Sequence, residues 1–232
     1  MIFPEGKDYR LLEEVLLDRQ DIEQIALKQH PMQQLYVEQH PQFTLDDCMG
    51  LPLPYLLGFD AVYLNYTKGK GKFKKGFATA QQTVRQNDPW FYCHFLGDPV
   101  MPGSQGQDIL FQLAAIWATA RGEMLGRPRA LCGSFDFSGQ ILPTSTSVFY
   151  QVEIQKMLKK QGMIFFEGTV AVDDPENIIY RFSNCRMGFY NKENLGIHQR
   201  AHQYYHPNWV QVKQNLLHYI DASKDFYDRA QS

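Results

Sequence analysis

Ile109-Leu110-Phe111-Gln112-Leu113-Ala114-Ala115-Ile116-Trp117-Ala118-Thr119-Ala120 is apolar at nearly every position. Wound as a helix it has no polar face, and a helix apolar all round is buried all round. Arg121 ends the run long before it could span a membrane. The rest of the chain must therefore wrap this segment. The approach to it reads Asp88-Pro89-Trp90-Phe91-Tyr92-Cys93-His94-Phe95-Leu96-Gly97-Asp98-Pro99-Val100-Met101-Pro102-Gly103-Ser104-Gln105-Gly106-Gln107-Asp108. Pro99 and Pro102 forbid regular structure before Gly103. Ser104 with Gln107 three residues on has the pattern of a capping box, which predicts a helix start near Ser104.

Two ionisable side chains, His94 and Asp108, bracket that helix start. A carboxyl in the first turn of a buried helix feels opposed effects: desolvation favours its neutral form and the helix N-terminus its charged form. The first backbone N–H groups, Gly103 to Gly106, have no partner inside the helix and suit a developing oxyanion. A histidine, an acid and free N–H groups are the parts needed for proton transfer beside a carbonyl.

The chain has 232 residues, enough for one substantial core and short for two. A net charge of −2 gives no global signal for nucleic acid or membrane binding. Sixteen Phe and thirteen Tyr fit an aromatic-rich sheet core. Cys48, Cys93, Cys132 and Cys185 form no CxxC pair, and Met1-Ile2-Phe3-Pro4-Glu5 lacks the basic and apolar regions of a signal peptide. Reduced thiols in a cytoplasmic protein are expected. Cys93 beside His94 is read as a small buried apolar residue rather than a nucleophile.

Residues 8–29 place Leu11, Leu12, Val15, Leu16, Ile22, Ile25 and Ala26 at three- and four-residue steps, which predicts a helix stopped by Pro31. A second helical piece runs from Met32 to Val37. Leu51-Pro52-Leu53-Pro54 is an extended linker. Ala61–Thr67 alternates as a strand, Gly69-Lys70-Gly71 turns, and Lys72–Ala80 returns. The five lysines from Lys68 to Lys75 suit a solvated hairpin tip or a contact for an acidic partner. Strands follow at Ala130–Phe137, Val148–Met157, Met163–Val172 and Ile178–Tyr190. Tight turns at 159–162 and 173–177 make the last three antiparallel. Residues 193–232 read as an amphipathic helical segment. His198, His202 and His206 recur there every four residues, but no carboxylate or cysteine completes a local metal set; no metal is expected.

The stretch from His94 through Gly103 to Gly106 and Asp108 resembles the active-site segment of FabA-type 3-hydroxydecanoyl-[acyl-carrier-protein] dehydratase/isomerases. Leu51-Pro52-Leu53-Pro54, Asp60, Lys75-Gly76 and Trp90-Phe91 resemble the segment ahead of it. Gly126-Arg127, Ala130-Leu131 and Phe137-Ser138-Gly139-Gln140-Ile141-Leu142-Pro143-Thr144 resemble the segment after it. The likeness covers about Leu51 to Tyr190. It implies an α+β hotdog fold, an antiparallel sheet wrapped around a long buried helix. Residues 51–192 would form the hotdog domain, 1–50 a helical N-terminal extension and 193–232 a helical C-terminal one.

The resemblance also implies chemistry: dehydration of a 3-hydroxyacyl thioester carried on the phosphopantetheine of an acyl carrier protein, with no cofactor of the enzyme's own. His94 would be the base and Asp108 the acid. Gly103, assisted by Ser104, would hold the enolate-like oxygen. In the family the histidine of one subunit works with the acid of the other, which implies a homodimer with shared sites. Aspartate at 108 resembles the isomerising branch, so conversion to a cis-3-enoyl product is in scope. Lys156, Lys159, Lys160 and Arg186 resemble the basic residues presented to the carrier, although Gln161 stands where another charge is expected. Two rival classes share the scaffold: an acyl-thioesterase, and a non-catalytic acyl or carrier-protein binding module. The intact His94 and Asp108 argue against both.

Overall fold

The computed structural model describes residues 12–39, 57–95, 97–120 and 126–191, with 41, 44, 45, 48, 51, 124, 194 and 195. Its elements are β1 (Glu14–Asp18), α1 (Arg19–Ala26), α2 (Pro31–Gln39), β2 (Ala61–Asn65), β3 (Phe77–Thr83), α3 (Trp90–Cys93), α4 (Gly103–Thr119), β4 (Arg127–Phe137), β5 (Ser147–Leu158), β6 (Met163–Val172) and β7 (Ile178–Tyr190). The strands form one antiparallel sheet in the order β1-β2-β3-β5-β6-β7-β4.

The apolar run folds as its composition demands. Every residue of α4 from Ile109 to Ala118 is buried, and the helix packs on β3, β4, β5 and β6. Alternate residues of the strands face it: Val148, Tyr150, Val152 and Ile154 on β5, Ile164 and Phe166 on β6. Each large side chain so buried contributes about 1.5–3 kcal/mol relative to exposure. Two glycines let the helix seat closely. A Cβ at Gly58 would lie 2.2 Å from Ile109 Cγ1, and one at Gly168 3.0 Å from Leu110 Cδ2. Phe111 and Phe166 meet edge to face at 5.1 Å.

The strands β6 and β7 run as the sequence predicts. The expected helix over 8–29 is corrected: Glu14–Asp18 is a strand whose burial alternates, with Val15 and Leu17 inside, and it pairs with β2. The helix begins only at Arg19, where Asp18 and Asp21 form a reciprocal capping box. Glu14–Asp18 thus adds an edge strand to the sheet. The hairpin after β2 is also longer than expected. Residues 66–76 form a compact loop closed by Gly69 N–H to the Lys74 carbonyl and Gly76 N–H to the Lys70 carbonyl. The linker residues 52–56 and the segment 196–232, with His198, His202 and His206, lie outside the described residues.

Asp60 ties β2, β3 and α1 together. Its carboxylate accepts from Thr83 N–H at 2.6 Å and Arg85 Nη2 at 3.1 Å, with Arg19 Nη1 at 3.8 Å. Burial pushes this carboxyl upward, but the Thr83 and Arg85 hydrogen bonds outweigh it and hold it below the ordinary 3.8. A carboxyl depressed in the folded state stabilises fully above its unfolded value and loses that contribution as pH falls through the folded one. Asp60→Asn is therefore expected to lower the urea midpoint at neutral pH and to flatten the loss of stability on acidification below pH 3.8. An unchanged acid limb in the variant would remove Asp60 as its source.

Candidate active site

The site is assembled at the N-terminus of α4. Pro89 precedes the single turn of α3, whose chain is turned by Phe91 N–H donating to the Asp88 carbonyl. The Asp88 carboxylate accepts from Arg85 N–H at 3.0 Å; burial pushes it above its ordinary value, with Arg85 opposing. His94 is the C-cap of α3, its N–H on the Trp90 carbonyl. The chain then loops through Gly97, whose φ of +81° only glycine adopts freely. Val100 and Met101 plug into the core, and Met101 N–H donates to the Ile141 carbonyl at 3.0 Å. The loop is thus stapled to the segment that follows β4.

His94 Nδ1 lies 3.0 Å from the Val100 carbonyl oxygen. A carbonyl only accepts, so Nδ1 carries the proton of the neutral ring and Nε2 keeps its lone pair. The half-buried ring stacks on Phe95 at 4.1 Å. The hydrogen bond fixes the tautomer that a general base needs.

The helix start differs from the sequence expectation. Pro102, with φ −56° and ψ 129°, is the N-cap, Gly103 is the first helical residue, and no side chain caps the end. Ser104 is exposed and forms no capping box; proline sets the turn into the helix, so Ser104 already lies inside it. The first N–H groups lack intrahelical partners by geometry, and Gln105 N–H takes the Pro102 carbonyl at 2.9 Å. Phe137 stands over this end: a Cβ at Gly103 would meet its ring at 3.1 Å, and one at Gly106 the Tyr180 ring at 3.0 Å. Phe137 and Tyr180 themselves meet edge to face at 4.8 Å.

Asp108 is likewise displaced from expectation. It is the sixth residue of α4, beyond the first turn, and it is exposed rather than buried. Its Oδ2 accepts from Gln112 Nε2 at 2.6 Å, one turn on. Both line a cleft of about 580 Å³, with Phe111 and Ala115 of α4, the first residues of β4, and Met187. That volume is in the range of small-molecule sites. His94 is not among the described residues lining this cleft. Cys93 is exposed, which corrects the expectation of a buried thiol; it ends a helical turn rather than an extended chain.

The four basic residues fall in two places. Lys156 and Arg186 both sit opposite Phe165 of β6, one on each side. They share a row two strand spacings wide, about 10 Å. Both are exposed, and Arg186 Nε donates to Cys132 Sγ at 2.9 Å. Lys159 and Lys160 are exposed in the 3-10 turn closing the β5–β6 hairpin. The lysine loop 68–75 reaches the same end of the sheet, where Lys72 N–H donates to Glu153 Oε2 of β5 at 2.7 Å and Lys72 Nζ pairs with Glu167 of β6, and it packs on the C-terminal end of α4. There Trp117 Nε1 donates to the Asn65 carbonyl and Tyr66 Oη to the Trp117 carbonyl. Fourteen helical residues separate Trp117 from Gly103, roughly 20 Å.

The cleft beside Asp108 was missed from sequence; Arg127, which lines it, entered the sequence reading only within the Gly126-Arg127 resemblance.

An antiparallel sheet closed over one buried helix, with a histidine loop at that helix's N-terminus, defines a hotdog fold of the α+β class. The chain belongs to the FabA-like domain family, which matches residues 51–183, more than half of its length. Solved structures resemble it over about half the chain. The dehydratase heterocomplex ApeI:P from Xenorhabdus doucetiae is 17% identical, with TM-score 0.42, covering 51% of this chain and 78% of that one. An (R)-hydratase from A. caviae involved in PHA biosynthesis is 11% identical, with TM-score 0.36, covering 52% and 96%. The E. coli PaaI protein from the phenylacetic acid degradation operon is 11% identical, with TM-score 0.38, covering 50% and 73%. Among the described residues no helix is long and apolar enough to cross a membrane.

Proposed function

We propose that this chain dehydrates a 3-hydroxyacyl thioester, presented by an acyl carrier protein, to the trans-2-enoyl thioester. The observation that carries the reading is the His94–Val100 hydrogen bond, which leaves Nε2 as a base, in a FabA-like domain that also supplies Asp108.

In the proposed reaction Nε2 removes the C2 proton. The electron pair moves to the thioester oxygen, held by Gly103 N–H with Ser104 N–H beside it. The enolate then reforms the carbonyl, the C2–C3 double bond forms, and the C3 hydroxyl leaves as water with the proton of Asp108. The proton on His94 returns to Asp108 through solvent, so one water is lost overall. The Gln112 hydrogen bond occupies one carboxyl oxygen and leaves the other for the leaving group. With aspartate as the acid, the further reaction we assign to this site is isomerisation of the trans-2-enoyl product: a proton leaves C4, the double bond moves to C3–C4, and a proton returns at C2 to give the cis-3-enoyl thioester.

His94 does not line the cleft that holds Asp108, which favours a site shared by two copies of the chain. The edge strand β4, with Leu131 and Phe137 exposed, is available for such pairing. We infer a homodimer without a metal or other resident cofactor, working in a reducing cytoplasm. Mixing His94→Ala with Asp108→Asn chains, unfolding and refolding them together, tests the shared site. Heterodimers with one intact site are expected to regain part of the activity; heterodimers formed without any regained dehydration would contradict it.

Lys156, Lys159, Lys160 and Arg186 are the surface we assign to the acidic carrier. Arg186 is the neighbour of Met187, which lines the cleft from the other side of β7. Reversing the charge at Lys156, Lys159 and Lys160 is expected to raise KM for carrier-bound substrate, more at low than at high salt. Activity on a small thioester surrogate should hold. No loss on either substrate would place docking elsewhere, with the lysine loop 68–75 next.

A further inference from the structure

The cleft beside Asp108 contains more positive charge than the proposed chemistry uses. Among the described residues, Arg127, Arg129 and Lys28 line it against the one carboxylate of Asp108. Lys28 comes from the turn after α1, where φ is +59°, so the N-terminal extension forms part of the wall. Arg129 is exposed, and its Nη1 donates to the Pro128 carbonyl at 2.8 Å. Arg127 is different. Its side chain is half-buried, and its Nε is fully buried with no hydrogen-bond partner. A guanidinium is charged at any pH the protein meets. A buried donor on a charged group, left unsatisfied, is costly, and such groups are kept where a ligand completes them.

The position of Arg127 limits the ligand. Phe137, the last residue of β4, covers Gly103 at the start of α4, so β4 runs antiparallel to the helix and begins beside its C-terminal half. The cleft follows one face of α4 from Asp108 to Ala115. Seven residues at the helical rise span on the order of 10 Å. We propose that Arg127 is an anion seat of this cleft. It takes a carboxylate or phosphate oxygen group that the acyl thioester carries at a distance from its reacting carbons. This rests on the acyl-thioester reading above. The anionic group has two sources: a carboxylate at the far end of the acyl chain, or the phosphodiester of the pantetheine arm. The bidentate fork of arginine suits either. Phe111, Ala115 and Met187 supply the apolar wall for the carbon chain between.

Equilibrium binding of three analogues, with the thioester sulfur replaced by an amide nitrogen, tests the seat. They are octanoyl-pantetheine, its 4′-phosphate, and the octanoyl analogue ending in a carboxylate. Wild-type protein is expected to bind one of the two anionic analogues at least tenfold more tightly than the neutral one, and which one it prefers identifies the source. Arg127→Met is expected to erase that preference and keep the neutral affinity; Arg127→Lys should retain part of it. Should Arg127→Met not fold, Arg127→Gln serves in its place. Equal affinity of wild-type protein for all three overturns the proposal, and so does a preference that survives in a folded Arg127→Met or Arg127→Gln. The analogues have no hydroxyl to lose. Absence of water loss from true 3-hydroxyacyl substrates would remove the dehydratase reading and leave the binding result standing.

Discussion

His94→Ala lowers dehydration by at least about 100-fold, the lower range for a positioned acid–base group. The imidazole is held by one hydrogen bond, Nδ1–H to the Val100 carbonyl. Val100 is itself fixed by burial and by the neighbouring Met101–Ile141 bond. Alanine removes the base and leaves the loop's own anchors in place, so folding should survive. Asp108→Asn should lose a comparable factor for another reason. The amide fits the same space and still meets Gln112, but it has no acidic proton to give. The two variants also separate by pH. The limb of kcat/KM that reports protonation of the free base should disappear in His94→Ala and persist in Asp108→Asn. Near wild-type turnover in either folded variant would take that side chain out of the mechanism.

Trp117→Ala costs about 3–5 kcal/mol of stability, a large part of the roughly 5–15 kcal/mol that holds a domain together. Trp117 is 4% exposed and sits where α4, β2 and the lysine loop meet. Its ring lies 4.9 Å from that of Tyr66, and Nε1 donates to the Asn65 carbonyl at 3.0 Å. A Cβ at Gly76 would come within 3.2 Å of the ring, so space around it is already filled. Truncation opens a cavity and strips a buried carbonyl of its donor. Trp117→Phe keeps most of the bulk and loses only the hydrogen bond, about 1–3 kcal/mol. Urea unfolding at one fixed protein concentration ranks the three proteins; a change under about 1 kcal/mol for alanine would mean that this junction does not carry the packing described.

What could be read from the sequence follows from how local each signal is. Ile109–Ala118 announces itself because every helical face is apolar, and nothing in its surroundings can change that. The boundaries of β6 and β7 are marked by Gly162 and by the run Asp173-Asp174-Pro175, which end strands through backbone chemistry alone. His94, Gly103 and Asp108 stood out by their places around the helix start and by the resemblance they carry, while the cleft that Asp108 lines without His94 did not. Glu14–Asp18 was not: five residues offer only two buried positions, and the leucines on either side mimic helical steps. Its strand exists because β2 offers an edge to pair with, a contact some fifty residues away that periodicity does not see. Ser104 misled for a related reason. A capping box needs an extended N-cap, and Pro102 had already taken that place. The solvent exposure of Asp108 and the buried Nε of Arg127 depend on how β4 returns along α4, which is a property of the fold and of no short stretch.

The site is expected to remove water and leave the thioester intact. Mass spectrometry of a 3-hydroxyacyl group on its carrier protein, before and after incubation with the enzyme, reads this directly. The expected product has lost one water and kept its acyl chain on the carrier, with no such change for His94→Ala. Release of the whole acyl group would make the protein a thioesterase on the same scaffold, and an unchanged carrier under turnover conditions would leave it a binding module; either result contradicts the account.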